Sequence, residues 1–179
     1  MRILITQQQK EPMSSLILQR GGEVIHCPLV LQRAVLSPVP TQKMDLVLIS
    51  SAKTVHFTTN LSSVLQQSKV VAIGQKTAKA LFQKGIQVVD VGNGGGEQAI
   101  QLMKQQYKNG DQVFHIGAQE MSDSLQTAFE GWGIPIHRWV VYKTIPNPSA
   151  QKLRLNTSPI DIACFGSGSA LRVWKQING

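Results

Sequence analysis

The sequence is poor in the features that most often betray a function. Two of its 179 residues are cysteine. Cys27 and Cys164 both fall in strand-like apolar segments without metal-ligand spacing, which favours buried free thiols in a reducing cytoplasm over a disulfide. Aromatic residues make up only 6%, too few to suggest the stacking platforms that hold single-stranded nucleic acids. No apolar run approaches the roughly 18 residues of a membrane span. The opening Met1–Thr6 is too short for a secretory signal and reads as a first strand. His26, His56, His115 and His137 are dispersed, with no metal-ligand spacing; those in strands, His115 and His137, read as structural. There is no Gly-x-Gly-x-x-Gly after the first strand and no phosphate loop, so Gly92–Gly96 reads as a flexible strand-to-helix connection with Glu97 in the first helical turn. Ser51 and Ser167 lack the glycine pattern of a nucleophile elbow. Metal and nucleophilic catalysis are both disfavoured.

Acidic residues are also scarce, 10 against 18 basic ones, for a formal charge of +8. That balance favours an anionic partner: a nucleic acid, a phosphorylated ligand or a polycarboxylate. The basic residues are scattered rather than gathered into a stripe, so binding to RNA or DNA rests on net charge alone.

What is present is a rhythm. Hydrophobic residues make up 42% of the chain, enough for a packed core. From Met44 to Thr144 strand-like and helix-like segments alternate: Leu46–Ile49 then a helix from Ala52, Val70–Gly74 then Lys76–Gln83 stopped by Gly85, Val88–Val91 then Glu97–Gln106, Val113–Ile116 then Ser122–Trp132 closed by Gly133, and a last strand Ile136–Thr144. This is the order of a mostly parallel sheet covered on both faces. In such sheets the ligand sits beyond the carboxyl ends of the strands, and small residues occupy every one of those ends: Ser50-Ser51, Gly74-Gln75, Gly92–Gly96 and Gly117-Ala118. Six of the eight prolines fall in two stretches flanking this block (Pro28, Pro38, Pro40; Pro146, Pro148, Pro159), as linkers do. The expected organisation is therefore a discontinuous outer lobe of residues 1–30 plus 155–179, a central lobe of 44–144, and linkers at 31–43 and 145–154. The outer lobe holds strands at Arg2–Thr6, Glu23–Cys27 and Asp161–Phe165, a helix around Pro12–Arg20, a turn at Gly21-Gly22, and a helix running to the end of the chain.

Two segments look like copies. Asp45–Val55 and Asp161–Leu171 each have an acidic start, four apolar residues, a small pair ending in serine (Ser51, Ser167) and a run that can open a helix. A helix N-terminus at such a corner can hold an anion. Two such corners suggest similar lobes facing one anionic ligand; the equally weighted alternative is that α/β proteins repeat this pattern by physics alone. Thr77, at the start of a helix after Gly74, either caps that helix or points at a bound carboxylate. Tyr142, near the end of a strand, is either packing with a polar tip or a proton donor able to assist a leaving group.

Taken in order, these pieces resemble the uroporphyrinogen-III synthase family over nearly the whole chain. The resemblance lies in Ile3–Thr6, Gly21–Leu29, Leu48–Val55, Ala72–Ala78, Leu125 through Gly133 to Val141–Thr144, and Phe165–Ala170. It implies an α/β fold of two doubly wound parallel-sheet lobes joined by a two-stranded linker, with the active site in the cleft between them. The implied reaction is cyclisation of the linear tetrapyrrole hydroxymethylbilane, with inversion of the last pyrrole ring and loss of water, without cofactor or metal. Substrate carboxylates would explain a basic chain. By position, Tyr142 matches the tyrosine proposed to assist departure of the hydroxyl. Thr6, Ser51, Ala52, Gly74, Thr77, Gly117, Ala118, Ser167 and Ser169 match residues at loops that grip carboxylates. The expected setting is a cytoplasmic protein, monomeric as the family is, with no membrane and no nucleic acid as partner. In two places the chain departs from the family. It has Gln7 where arginine usually follows the opening threonine, and its outer lobe lacks further strands and a second Ile-Gly-x-x-Thr-Ala-like corner. The expectation is thus a truncated outer lobe, whose open sheet edge favours self-association. The alternative function is a degenerate, non-catalytic relative that binds a tetrapyrrole or polycarboxylate.

Overall fold

A computed structural model describes residues 1–150 and 159–178. Of the expected linker 145–154 and outer piece 155–179, positions 151–158 and 179 lie outside the described residues. The chain divides into two compact units, Met1–Arg33 with Thr144–Gly179, and Ala34–Lys143.

The unit of Ala34–Lys143 is built on a six-stranded sheet. Its strands are β3 (Val30–Ala34, which enters from the other unit), β4 (Leu46–Ile49), β5 (Lys69–Ala72), β6 (Asp90–Val91), β7 (Val113–Ala118) and β8 (Ile136–Pro146). Their order is β3-β8-β7-β4-β5-β6. All neighbours from β8 to β6 are parallel. β3 runs against β8: Val35 N–H donates to the Val141 carbonyl and Asn147 N–H to the Leu29 carbonyl. The central strand shows why the sequence folds this way. Leu46 and Leu48 pack on one face with Ala99, Ile100 and Met103 of α5 (Gly96–Gln106) and Leu125 and Phe129 of α6 (Asp123–Glu130). Val47 and Ile49 pack on the other with Val55 of α2 (Ala52–Phe57), Leu61 of α3 (Leu61–Val64) and Leu81 of α4 (Gln75–Phe82). A strand covered on both faces needs apolar side chains at consecutive positions, not alternate ones. All four residues of β4 are fully buried. Doubly wound order follows: β5 and β6 are added on one side of β4, then the chain returns to add β7 and β8 on the other. The sheet reverses direction of growth between β4 and β7.

The discontinuous unit has a three-stranded parallel sheet, ordered β2-β1-β9, of β1 (Arg2–Ile5), β2 (Glu23–His26) and β9 (Ile162–Cys164). It carries α1 (Met13–Gln19) and α7 (Gly168–Asn178). Ala170, Val173, Trp174 and Ile177 of α7 recur at helical spacing and join Leu4, Cys27 and Leu29 in a core of their own. Both cysteines are free thiols, Cys27 buried and raised in pKa by that burial.

The structure differs from the sequence reading in small, explicable ways. The strand expected over Val88–Val91 is paired only at Asp90–Val91, because β6 is an edge strand held by β5 alone. Val30–Ala34, which begins in a proline-flanked stretch, is a strand because β8 is long enough to pair with it. Within Ser122–Trp132 the helix occupies Asp123–Glu130, with the Ser122 side chain accepting from Leu125 N–H at its start. No described helix is long and apolar enough to cross a membrane.

Candidate functional site

In the six-stranded unit every sequence-predicted residue lies at or just beyond the carboxyl edge of the sheet. Ser51 and Ala52 follow β4, Gly74 and Thr77 follow β5, Gly117 and Ala118 close β7, and Tyr142 pairs in register with Ala118 on β8. The β4–β7 boundary, where the strand order reverses, is the place where the connecting helices diverge to opposite faces and a ligand can approach strand ends.

Ser51 is the N-cap of α2, its Oγ accepting from Lys53 N–H at 3.2 Å. Thr77 does not cap α4: the N-cap is Gly74, without a side-chain bond, and Thr77 is buried in the first turn with its N–H on the Gly74 carbonyl. Of the two readings of Thr77, the cap is removed. A methyl group at Gly74 would sit 3.3 Å from the Gly94 nitrogen, so the loops after β5 and β6 press on each other. The Gly92–Gly96 loop is not a free anion cradle, nor a slack one. Gly92 N–H donates to the Ala72 carbonyl, Gly94 N–H to the Ile73 carbonyl, Asn93 N–H to Gln98 Oε1 and Gly95 N–H to Asn93 Oδ1. Four successive amides are spent inside the protein.

Tyr142 is buried against the core, its ring stacked on Phe57 with centroids 5.3 Å apart and planes 22° apart. This is the packing role of a tyrosine, and its carbonyl accepts from Gln119 N–H at 2.8 Å, tying the loop after β7 to β8.

Three residues that were not among the predicted site residues complete this edge. Ser50 Oγ lies 2.7 Å from His115 Nε2. His115, on β7, is buried to 2% exposure, and burial, with the nearby Arg138 guanidinium adding to it, lowers its pKa to about 4. Arg138, opposite it on β8, donates from Nη2 to the carbonyls of Ala118 and Gln119 at 2.8 and 2.9 Å and so fixes the loop after β7. The only sequence signal for this cluster was a histidine inside an otherwise apolar strand beside a small-residue strand end.

In the three-stranded unit the predicted residues are Thr6, Ser167 and Ser169. Thr6 is buried at the end of β1 and its hydroxyl donates to the Cys164 carbonyl at 2.8 Å. Ser167 Oγ accepts from Ala170 N–H at 3.2 Å, as a helix cap does. Ser169 Oγ accepts from Arg172 Nη2 at 3.2 Å. Gln7 packs on Gly166, where an added methyl group would meet its Cγ at 2.6 Å. The two look-alike segments are thus the same local device: an apolar strand, a small residue, a capping serine and a helix.

Comparison with known proteins agrees with this architecture. The family model described as Uroporphyrinogen-III synthase HemD matches residues 11–178. No curated protein matches the chain. Among solved structures, a mutant uroporphyrinogen III synthase from Thermus thermophilus superposes with a TM-score of 0.69 at 20% identity, covering 98% of this chain and 76% of that one. The uroporphyrinogen-III synthetase of Helicobacter pylori gives 0.65 at 19% identity, covering 99% and 78%. At such identities these structures establish the α/β fold; the family match rests on sequence.

Proposed function

We propose that this chain, which belongs to the uroporphyrinogen-III synthase family, performs the family's reaction by holding a flexible, acid-rich substrate in one folded pose. Its enzyme class is uroporphyrinogen-III synthase, which cyclises hydroxymethylbilane with inversion of the last pyrrole ring and loss of water. The observation that carries the reading on the structural side is the carboxyl edge of the six-stranded sheet. Ser50, Ser51, Gly74, Thr77, Gly117 and Ala118 converge there from three adjacent strands and the helices after them. Small residues admit the substrate to the backbone, and hydroxyls and positive charge receive its carboxylates. A linear tetrapyrrole has many low-energy conformers, so binding one of them is a large part of lowering the barrier. Ala52, Ser167 and Ser169 are further contacts to carboxylates in this reading, Thr6 supports that edge through its bond to the Cys164 carbonyl, and Tyr142 assists departure of the terminal hydroxyl as a proton donor. The reaction as read needs no metal or cofactor. The partner is the small-molecule substrate, the setting is the cytoplasm, and the edge strands of the three-stranded sheet, unpaired on their outer side among the described residues, support self-association.

The second reading, a non-catalytic binder of tetrapyrroles, is favoured by two observations. The Tyr142 ring is packed on Phe57, and the Thr6 hydroxyl is already engaged by Cys164. Incubation with freshly prepared hydroxymethylbilane, followed by separation of the uroporphyrinogen isomers, decides between them. The asymmetric type III isomer is expected; formation of the symmetric type I isomer alone, with retained binding of uroporphyrin III, selects the second reading.

A further inference from the structure

The Ser50–His115 pair has no structural need to be polar. His115 shares a sheet face with Leu46, Leu48 and Val113, and its ring lies 5.7 Å from that of Phe129. An apolar residue would fill that position without burying an imidazole. His115 Nδ1 is buried and meets no donor or acceptor among the described residues, which decides how the pair is wired. If the ring proton sat on Nδ1, a buried N–H would be left unpaired, which native structures rarely tolerate. With the proton on Nε2, the unpaired atom is only a lone pair, and the ring donates to Ser50 Oγ across the 2.7 Å contact. The serine is then an acceptor toward the histidine, and its own proton has to point elsewhere.

Position and space agree. Ser50 is the half-buried residue immediately after β4, at the boundary with β7 where the sheet order reverses. Gly117 flanks the pair: an added methyl group would lie 2.7 Å from Ser50 Oγ and 3.0 Å from His115 Nε2. Only a residue without a Cβ leaves the contact intact. Arg138 supplies positive charge at the same edge while tethering the loop after β7.

We propose that Ser50 is a substrate-binding hydroxyl, that His115 is the positioning residue that turns its proton outward, and that the group it meets is a carboxylate of the tetrapyrrole. The inference rests on the family reading above, which already counts Ser50 among the edge residues, and adds to it the residue that turns the serine proton toward the ligand. Ser50 contacts the ligand; His115 acts only through it.

Three measurements test this. In the protein without ligand, nitrogen-15 correlation of the His115 ring at neutral pH is expected to show a neutral imidazole protonated on Nε2; protonation on Nδ1 overturns the wiring. In steady-state assays Ser50→Ala is expected to raise KM for hydroxymethylbilane about tenfold with kcat changed less than threefold, as loss of one hydrogen bond to a charged group does. His115→Met should follow it, and His115→Gln, which keeps an N–H near the same place, should recover most of the loss. A structural role alone would lower stability without this split or this rescue. An unchanged KM in Ser50→Ala overturns the assignment. Equilibrium binding of uroporphyrin III keeps the two conclusions separate. If the wild-type chain makes no type III isomer, the synthase reading fails, while a tenfold weaker porphyrin affinity in Ser50→Ala still supports this inference and equal affinity ends it.

Discussion

Thr6 and Ser50 stand in equivalent places, each a hydroxyl just past the first parallel strand of its unit, and the two are used in opposite ways. The Thr6 hydroxyl donates to the Cys164 carbonyl of the adjoining strand, so its proton is consumed inside the fold. Ser50 instead lies against an imidazole that can act as the donor, which leaves the serine proton for something outside. The contrast extends to the strand ends around them. Ser167 and Ser51 are both spent in part on capping, but among the described residues it is the six-stranded unit that sets a buried histidine on the neighbouring strand and an arginine beside it on β8. Equivalent positions in similar strand-and-helix corners do not imply equivalent roles. The neighbouring strand decides whether a hydroxyl closes the structure or serves a ligand.

The contrast can be strained hardest with pH. The His115 ring titrates near 6.5 in the unfolded chain and at about 4 in the fold, chiefly through burial and secondarily through Arg138. Between those values the unfolded chain binds the extra proton, so stability is fully present above about pH 6.5 and falls as the pH drops toward 4. The expected loss is roughly 3 kcal/mol from this one group. Denaturant unfolding at pH 7.5 and 4.5 should show it, and His115→Met should lack that share of the slope. An equal slope in both proteins would mean that the imidazole is not held neutral by its surroundings.

Next in size is Gly117→Ala. Its methyl group would displace both Ser50 and His115, and overpacking of this kind costs about 2 kcal/mol. Urea titration checks the stability. Porphyrin affinity should fall with it, because the Ser50–His115 contact is forced apart.

Thr6→Val then sharpens the comparison from the other side. It removes one buried hydrogen bond, for a loss of about 1 kcal/mol, while leaving the six-stranded unit untouched. Uroporphyrin III affinity within twofold of wild type is expected, in contrast to Ser50→Ala; a loss as large as that of Ser50→Ala would place Thr6 among the ligand contacts after all. Smallest are the caps. Ser51→Ala and Ser167→Ala each remove a 3.2 Å side-chain bond to a helix N–H and should cost similar amounts, under about 1 kcal/mol, by thermal unfolding. A large difference between them would show that the two corners are not the same device.

Some parts of this molecule could be read directly from the chain because their causes are local. Consecutive apolar residues at Leu46–Ile49 can be satisfied only in a strand covered on both faces. Gly85 and Gly133 end their helical stretches because both take positive φ, 72° in each case. Ser51 and Ser167 announce their helices because a cap is a bond between near neighbours. The ordered motifs likewise carried the family. The Gly92–Gly96 loop is the opposite case. Its composition promised slack, and only the folded chain supplied the Ala72 and Ile73 carbonyls and the Gln98 side chain that pin it.

The sequence by itself determined the alternation of strands and helices, the small residues at the strand ends and the family, since each depends on residues close together along the chain or on their order. Tertiary structure alone decided which hydroxyls are free. Ser50 and His115 are 65 positions apart and meet because β7 returns to the side of β4 opposite β5. Thr6 and Cys164 are 158 apart and meet because β9 adds to β1. A hydrogen bond depends on distance and direction in space, and no periodicity in a sequence encodes which strand will lie beside which.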